Sequence, residues 1–242
     1  MSMNQTSIPD EITFVDFSCP HCGKPVSFPV QFVGRAEECP TCSQILVVPK
    51  PGEEVGAKLP IPFETARLRF RRLTPEDSSD LLEIVGDEEL VRYQDWYAMD
   101  EQAVQKWLVD DQKQQLFQPE PTFYLALELL AQPKVIGFVA LTLIEMGNFE
   151  VTVSMAVLIN HNCQRQGFGA EAFREAMEFV FNGLNVRRLC CWCDSRNLAG
   201  VRLLEKSGLR HEGHFVKNKF MKGEWADTVQ FALLQAEYCS AA

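Results

Sequence analysis

The sequence lacks a long apolar run, an excess of basic residues, internal repeats and low-complexity tracts. Its longest apolar stretch, residues 135–144, is far shorter than the roughly 18 residues that span a bilayer. No charged segment followed by an apolar stretch opens the chain, so we expect an unsecreted, cytoplasmic protein that is not bound to membranes. The formal net charge of −10 disfavours nucleic acid as a partner, because phosphates attract basic surfaces.

The 242 residues, 46% of them apolar, suffice for one main core and a small appendage. Residues 49–62 contain four prolines and two glycines, which disfavour helices and central strands. We therefore expect a small cysteine module over residues 1–48, a linker over 49–62 and the main domain over 63–242.

Four of the nine cysteines form two C-x-x-C pairs, Cys19 with Cys22 and Cys39 with Cys42, separated by sixteen residues. In a reducing compartment, this spacing favours a tetrahedral zinc site over disulfides. Four thiolates leave no open coordination position, and the module is too small to be stable by burial alone, so the zinc is predicted to be structural. Alternating apolar residues over 26–32 predict a hairpin, and residues 45–48 predict a closing strand. The sequence thus predicts a zinc ribbon, a type of module that often contacts a protein partner.

Strand-like and helix-like patterns alternate through the main domain and predict a mixed α/β sheet. Thr74 and Pro75 have the residue types of a helix N-cap and first helical position. The predicted elements are a strand at 66–73, helices at 75–85 and 101–115, strands at 123–130, 135–144 and 149–159, a helix at 168–182, a strand at 187–193, a helix at 198–207 and two strands near Phe215 and Phe231.

The segment from Gln164 to Ala170 follows a predicted strand and enters a predicted helix. The start of a helix offers unpaired N–H groups and a positive dipole end, and small residues let an anion come close to them. The segment therefore has the features of a phosphate site. The alternative is a tight turn in which Gly167 and Gly169 serve backbone geometry alone.

The pattern Gln164-x-x-Gly167-x-Gly169 resembles the Q/R-x-x-G-x-G/A signature with which the GNAT acetyltransferase superfamily binds the pyrophosphate of coenzyme A. Residues 65–77, 197–209 and 212–228 are similar to further motifs of the branch that acetylates ribosomal-protein N-termini. The resemblance covers roughly residues 63–238. It implies a GNAT fold of the α/β (α+β) class, with a mixed central sheet flanked by helices, and acetyl transfer from acetyl-CoA to an amine.

The same resemblance assigns a role to individual residues. Backbone groups of Val157, Leu158 and Ile159 are expected to pair with the pantetheine arm, and the N–H of Val157 is expected to be the oxyanion donor. Asn197 is expected to contact the cofactor arm or the reacting end, although it would serve equally well as a helix N-cap. The pyrophosphate is assigned to the loop formed by Gln164, Arg165, Gln166, Gly167, Phe168, Gly169 and Ala170.

Acetyl transfer also needs a base for the amine and a proton for the leaving thiolate. Ser154 and Glu150 are candidates for the base through water, with Glu128 as a third. The branch's serine in N-x-x-S is Gly200 here, so a hydroxyl is absent at that position. Tyr93, Tyr97 and Tyr124 are alternative acids, although packing is the default role of each. The remaining candidates, Cys190, Cys191 and Cys193, are better explained as small buried residues than as nucleophiles.

Three interpretations remain open from the sequence. The acceptor is either a peptide N-terminus or a small-molecule amine, and the acidic charge suits both. The third interpretation is a non-catalytic module that senses coenzyme A or binds a partner, as the missing hydroxyl suggests.

Overall fold

The computed structural model describes residues 14–20, 22–49, 61–112, 122–147 and 150–241. The chain divides into two compact units, residues 1–59 and 60–242. This division falls inside the predicted linker, of which residues 50–60 lie outside the described residues. Within the described ranges, no helix combines the length and the hydropathy that a membrane span requires.

The first unit is built from two short antiparallel hairpins, β1 (Phe14–Ser18) with β2 (Pro25–Pro29) and β3 (Ala36–Glu38) with β4 (Ile45–Val47). One cysteine pair lies in the turn of each hairpin. The predicted hairpin over residues 26–32 is wrong, because β2 ends at Pro29 and a 3-10 turn, Val30–Phe32, follows. The predicted strand at 45–48 is confirmed as β4. Val15, Val26, Leu46 and Val48 form a small core with the cysteines.

The second unit contains one mixed eight-stranded sheet in the order β11-β12-β10-β9-β8-β7-β6-β5. All neighbours are antiparallel except β9 and β10, which are parallel. The strands are β5 (Phe63–Glu64), β6 (Leu68–Arg72), β7 (Thr122–Leu129), β8 (Val135–Gly147), β9 (Glu150–Ile159), β10 (Arg188–Asp194), β11 (Arg210–Met221) and β12 (Glu224–Leu234).

Helices flank this sheet, as the fold implied by the resemblance requires. On one face, α1 and α3 bury Leu81, Ile84, Val104 and Leu108 against β7 and β8. On the other face, α4 packs on β8 and β9 through its apolar side, including Ala172 and Phe173. The helices are α1 (Ser78–Val85), α2 (Glu88–Val91), α3 (Glu101–Asp111), α4 (Phe168–Glu178), α5 (Leu198–Lys206) and α6 (Gln235–Ala241).

Three of the predicted helices differ in detail from the structure. The helix predicted from residue 75 begins with a 3-10 turn, Pro75–Asp77, in which the N–H of Thr74 donates to the Asp77 carboxylate. The helix predicted at 101–115 ends at Asp111, and residues 113–115 lie outside the described residues. The helix predicted at 168–182 changes at Phe179 into a single π-helical turn, Phe179–Gly183.

Candidate active site

The two parallel strands at the centre of the sheet separate toward their carboxyl ends. β9 and β10 pair at three positions only, from Thr152 with Arg188 to Ser154 with Cys190. Beyond these positions, β9 continues to Ile159 and β10 continues to Asp194, and the two strands do not pair with each other. Both stretches lie fully within the described residues. A wedge-shaped opening therefore separates the strands at the edge from which the loops to α4 and α5 also leave.

The backbone groups of β9 that face this opening follow from its hydrogen-bond pattern. The Val151 carbonyl accepts from Arg187 N–H at 3.1 Å, so the backbone groups of Val151 face β10. Because the backbone groups of successive residues face alternate edges of a strand, those of Val157 and Ile159 also face β10. The carbonyl of Leu158 points toward β8 instead, where a Cβ on Gly137 would lie only 2.2 Å from it. Of the three predicted residues, Leu158 thus offers no backbone group to the opening, while Val157 offers both of its groups.

The loop that follows β9 has a defined and partly strained backbone. Gly167, the N-cap of α4, has φ +85°, and Arg165 has φ +59°, a region that costs a non-glycine residue about 1 kcal/mol. Side-chain amides brace the turn. Gln164 Nε2 donates to the Ile159 carbonyl at 3.1 Å, and Gln166 Nε2 donates to the Asn162 carbonyl at 3.0 Å. The loop is therefore held in one shape by its own polar side chains.

This shape presents unpaired N–H groups at the start of α4. The first bond inside the helix runs from Glu171 N–H to the Gly167 carbonyl at 3.0 Å. The N–H groups of Phe168, Gly169 and Ala170 consequently have no acceptor within the helix. Among the described residues outside the helix backbone, a Cβ added to Gly169 would meet only Ile159 Cγ1, at 3.8 Å, so neighbouring side chains do not crowd this turn. The donors and the positive end of the helix dipole together fit a phosphate group.

Asn197 is the N-cap of α5, as one of its two predicted roles required: its Oδ1 accepts from Gly200 N–H at 3.0 Å. A role toward the cofactor arm stays a prediction. The structure also explains the missing hydroxyl at position 200. A Cβ there would lie 2.9 Å from Cys193 Sγ and 2.9 Å from Asn197 Nδ2, so the space of a serine side chain is already filled.

The predicted base candidates are placed unequally. Ser154 is the last residue of β9 paired with β10, and its hydroxyl makes no hydrogen bond to any described residue. Glu150 begins the same strand, but its side chain lies outside the described residues. Glu128 is ion-paired with Arg71, and its carboxylate lies 3.5 Å from Arg69 Nη1. Its carboxylate is therefore occupied by two arginines of β6.

The three tyrosines show no arrangement specific to acid catalysis. Tyr124 packs edge-on against Trp107 and Phe138, with ring centroids 4.9 and 5.6 Å away, and burial raises its pKa. Tyr93 stacks with the Arg92 guanidinium, and the Tyr97 side chain is mostly exposed. Packing, the predicted default, accounts for Tyr124 directly.

The cysteines of β10 are buried, as predicted, and are poorly suited to nucleophilic attack. Burial raises the pKa of Cys193 to about 11, and it raises the pKa of Cys190 and Cys191 as well. Because the thiolate is the nucleophilic form, these thiols stay inert near neutral pH.

The four cysteines of the first unit form a cluster with the dimensions of a zinc site. Their sulfurs all lie within 4.8 Å of one another, with Cys19–Cys42 at 3.8 Å and Cys22–Cys39 at 3.9 Å. Tetrahedral zinc with Zn–S bonds of about 2.3 Å requires sulfurs about 3.8 Å apart. The two turns have the same backbone bonds, N–H of Gly23 to Cys19 O and N–H of Ser43 to Cys39 O, both 2.9 Å. Thr41 N–H also donates to Cys39 Sγ at 3.4 Å, which stabilises a thiolate.

Sequence reasoning missed one set of contacts at the loop. Arg67, in the segment before β6, reaches the Gln166 carbonyl and the Glu171 carboxylate of α4. Arg67 and Gln166 lie in segments that the resemblance had already marked, and Glu171 directly follows one of them. A pairing of Arg67 with Glu171 across 104 residues, however, leaves no periodic or local signal in one sequence.

The family model described as the acetyltransferase (GNAT) domain matches residues 67–210, more than half of the chain. An uncharacterized N-acetyltransferase of Bacillus subtilis (strain 168), YnaD, is 32% identical over 89 residues, 37% of this chain and 52% of its own length. The spermidine N(1)-acetyltransferase of Vibrio cholerae is 29% identical over 108 residues, 45% of this chain and 61% of its own length. The matched regions thus span little more than half the length of these two relatives.

Solved structures agree in fold. A GNAT-family acetyltransferase from Bacillus anthracis superposes with a TM-score of 0.65 at 19% identity, covering 73% of this chain and all of the other. A Vibrio cholerae spermidine N-acetyltransferase in complex with CoA and spermine gives 0.62 at 20% identity, covering 72% and 99%. At these identities the likeness concerns the fold alone.

Proposed function

The chain belongs to the acetyltransferase (GNAT) domain family, and from that premise we propose that it transfers the acetyl group of acetyl-CoA to a primary amine by direct attack. One observation carries the proposal: a strand edge at Val157 that does not pair with β10 opens beside a helix start whose first N–H groups have no acceptor within the helix. A thioester on a pantetheine arm with a pyrophosphate needs both features.

In this proposal, backbone N–H groups both stabilise the developing charge and bind the cofactor. The Val157 N–H stabilises the negative charge that develops on the carbonyl oxygen, as a preorganised donor beside the reacting atom. The N–H groups of residues 167–170 hold the pyrophosphate and thereby fix the thioester along the opening. Ser154 or Glu150 takes a proton from the amine through water. Atoms balance when the amine nitrogen bonds to the acetyl carbon, the C–S bond breaks and the thiolate takes up a proton.

We further propose that the acceptor is a small amine and not a peptide N-terminus. The support is the similarity to the Vibrio cholerae spermidine N(1)-acetyltransferase. The acidic net charge is compatible with such a cation. Peptide N-termini, the acceptors that the sequence resemblance implies, are the competing outcome.

Two measurements test the enzyme assignment. Isothermal titration of the full chain with acetyl-CoA measures binding, and release of the free thiol is then followed over polyamines, other small amines and short peptides. We expect binding and thiol release with at least one small amine. Turnover on peptides alone would refute the small-amine acceptor. Binding without turnover on any amine would favour the alternative function, a non-catalytic coenzyme A module, for which the absent hydroxyl at Gly200 is the supporting observation.

We also propose that Cys19, Cys22, Cys39 and Cys42 bind one structural zinc ion as thiolates. The support is the match between their sulfur separations and a tetrahedral site. Bound zinc would cross-link the two hairpins of a unit whose apolar core is small. Elemental analysis of the purified chain should find one zinc per chain, and its absence after purification without chelators would refute the site.

A further inference from the structure

The side chain of Arg67 joins the segment before β6 to the loop that precedes α4. Its Nη1 donates to the Gln166 carbonyl at 3.0 Å, and its Nε donates to Glu171 Oε2 at 2.7 Å. The guanidinium also stacks on the Phe168 ring, 4.3 Å from the ring centroid. Arg67 thus contacts the Gln166 carbonyl in the loop and the side chains of Phe168 and Glu171 in the first turn of α4.

Glu171 is itself held in place, so this contact has a fixed geometry. Its carboxylate accepts from the Thr65 hydroxyl at 2.5 Å and from Arg67 Nη2 at 2.5 Å, and only 9% of the residue is exposed. Burial disfavours the charge, but the hydrogen bonds from Thr65 and Arg67 outweigh it and hold the Glu171 pKa below its ordinary value. An ionised, buried carboxylate therefore orients the guanidinium near neutral pH.

The bond to Gln166 decides which way the next peptide N–H points. In a trans peptide the carbonyl of residue i and the N–H of residue i+1 point in opposite directions. When Arg67 holds the Gln166 carbonyl, the Gly167 N–H is turned to the opposite side, away from Arg67. Gly167, at φ +85°, has the freedom to flip this peptide, so the direction of its N–H needs an external restraint.

We propose that Arg67 is a positioning residue for the pyrophosphate site: it fixes the Gln166–Gly167 peptide so that the N–H groups at the start of α4 converge on the phosphates. The proposal rests on the proposed function. The positive charge of Arg67 is not its main contribution to the pyrophosphate site, because Glu171 neutralises that charge at close range. A lysine, which has no planar fork, cannot hold both Gln166 and Glu171 in this geometry.

The test compares Arg67→Gln and Arg67→Lys with the parent chain and with a matched control, Arg69→Gln. Arg69 lies two residues further on, in β6, and its side chain is similarly exposed, 40% against 44%, but its partners are Glu64 and Glu128 and not the loop. Affinity for coenzyme A is measured by titration, and turnover is measured with acetyl-CoA and with S-acetylpantetheine, a thioester without the pyrophosphate. Thermal unfolding without ligand reports the fold.

Both Arg67 variants should bind coenzyme A about ten- to hundredfold more weakly, as expected for one or two lost hydrogen bonds to a charged group. Their kcat/KM with S-acetylpantetheine should match that of the parent, and Arg69→Gln should be unchanged throughout. Equal affinity of Arg67→Gln and parent would overturn the inference alone. If Arg67→Lys bound coenzyme A as tightly as the parent, Arg67 would act through its charge, and the positioning role would be overturned. An equal loss of kcat/KM with S-acetylpantetheine would also overturn the positioning role. If the parent binds no coenzyme A, the proposed function fails and the inference fails with it.

Discussion

Gly169 offers a sharper test of the phosphate site than Gly167 does. Gly167 has φ +85°, so any side chain there strains the backbone, and lost affinity would not separate ligand contact from misfolding. Gly169 lies inside α4, and a Cβ there would sit 3.8 Å from Ile159 Cγ1, an ordinary contact. The protein therefore has no conformational or packing need for a glycine at position 169, whereas an approaching phosphate does.

The expected effects on stability and affinity have opposite signs. Glycine is about 1 kcal/mol less favourable than alanine in a helix, and valine lies between them. Gly169→Ala should thus gain up to about 1 kcal/mol of unfolding free energy, and Gly169→Val a few tenths. Alanine also fits the G/A position of the family signature. Valine adds two methyl groups beside the N–H donors, and loss of one charged hydrogen bond costs about 1.5–3 kcal/mol, a ten- to hundredfold weaker coenzyme A affinity.

Urea unfolding without ligand and calorimetric titration with coenzyme A measure the two quantities on the same samples. Gly169→Ala serves as the matched control, with raised stability and near-parent affinity. A Gly169→Val chain that binds coenzyme A as tightly as the parent would refute the assignment of the phosphates to this helix start. A Gly169→Val chain that is destabilised by more than about 1 kcal/mol would refute the claim that the glycine is structurally dispensable.

Three further predictions concern other parts of the chain. Gly200→Ser should lose about 1–3 kcal/mol of unfolding free energy in urea by overpacking against Cys193 and Asn197, and adding Cys193→Ala should restore part of it; equal stability of both variants would contradict this. Cys39→Ser should lose the bound zinc in elemental analysis, whereas the exposed Cys239→Ser should keep it; zinc retained by Cys39→Ser would contradict the ligand set. Burial raises the pKa of Asp111 from 3.8 to about 6, against the opposing charge of Arg72 3.2 Å away, so the unfolding free energy should be higher near pH 4 and should fall as the pH rises through 6. Asp111→Asn should lack this loss in urea melts at pH 4 and 7, and a pH dependence parallel to that of the parent would refute it.

The order of strands and helices was predictable because it rests on local periodicity. The strand at 187–193 and the helix at 198–207 are confirmed within one residue at each end. The 3-10 start at Pro75–Asp77 was not predictable, since it depends on Asp77 binding both Thr74 and Arg71, which lies in a strand. The two-residue β5 is too short to show a period, and its place at the sheet edge comes from pairing with β6.

The candidate site divides in the same way between local and distant contacts. The loop at residues 164–170 could be predicted because its glycines, glutamines and helix start adjoin in sequence. The role of Asn197 as a cap was likewise visible from its position. The Arg67–Glu171 pair could not be predicted, because nothing in either segment specifies the other. The absence of a hydroxyl at Gly200 was visible in the sequence, but the crowding of that position by Cys193 and Asn197 depends on how α5 packs on β10.

That missing hydroxyl is weaker support for a non-catalytic module than the sequence suggested. A general acid accelerates a step most when the leaving group is a poor one, and a thiolate is a comparatively good one, since free cysteine thiols have a pKa near 8.5. In the proposed mechanism, the donor to the developing oxyanion and the groups that hold the thioester are backbone N–H groups, which no side-chain change at position 200 would remove. Preorganised donors of this kind usually supply the largest single term in catalysis. The geometry at Val157 and at the start of α4, and not the residue at 200, therefore decides whether this chain can catalyse acetyl transfer.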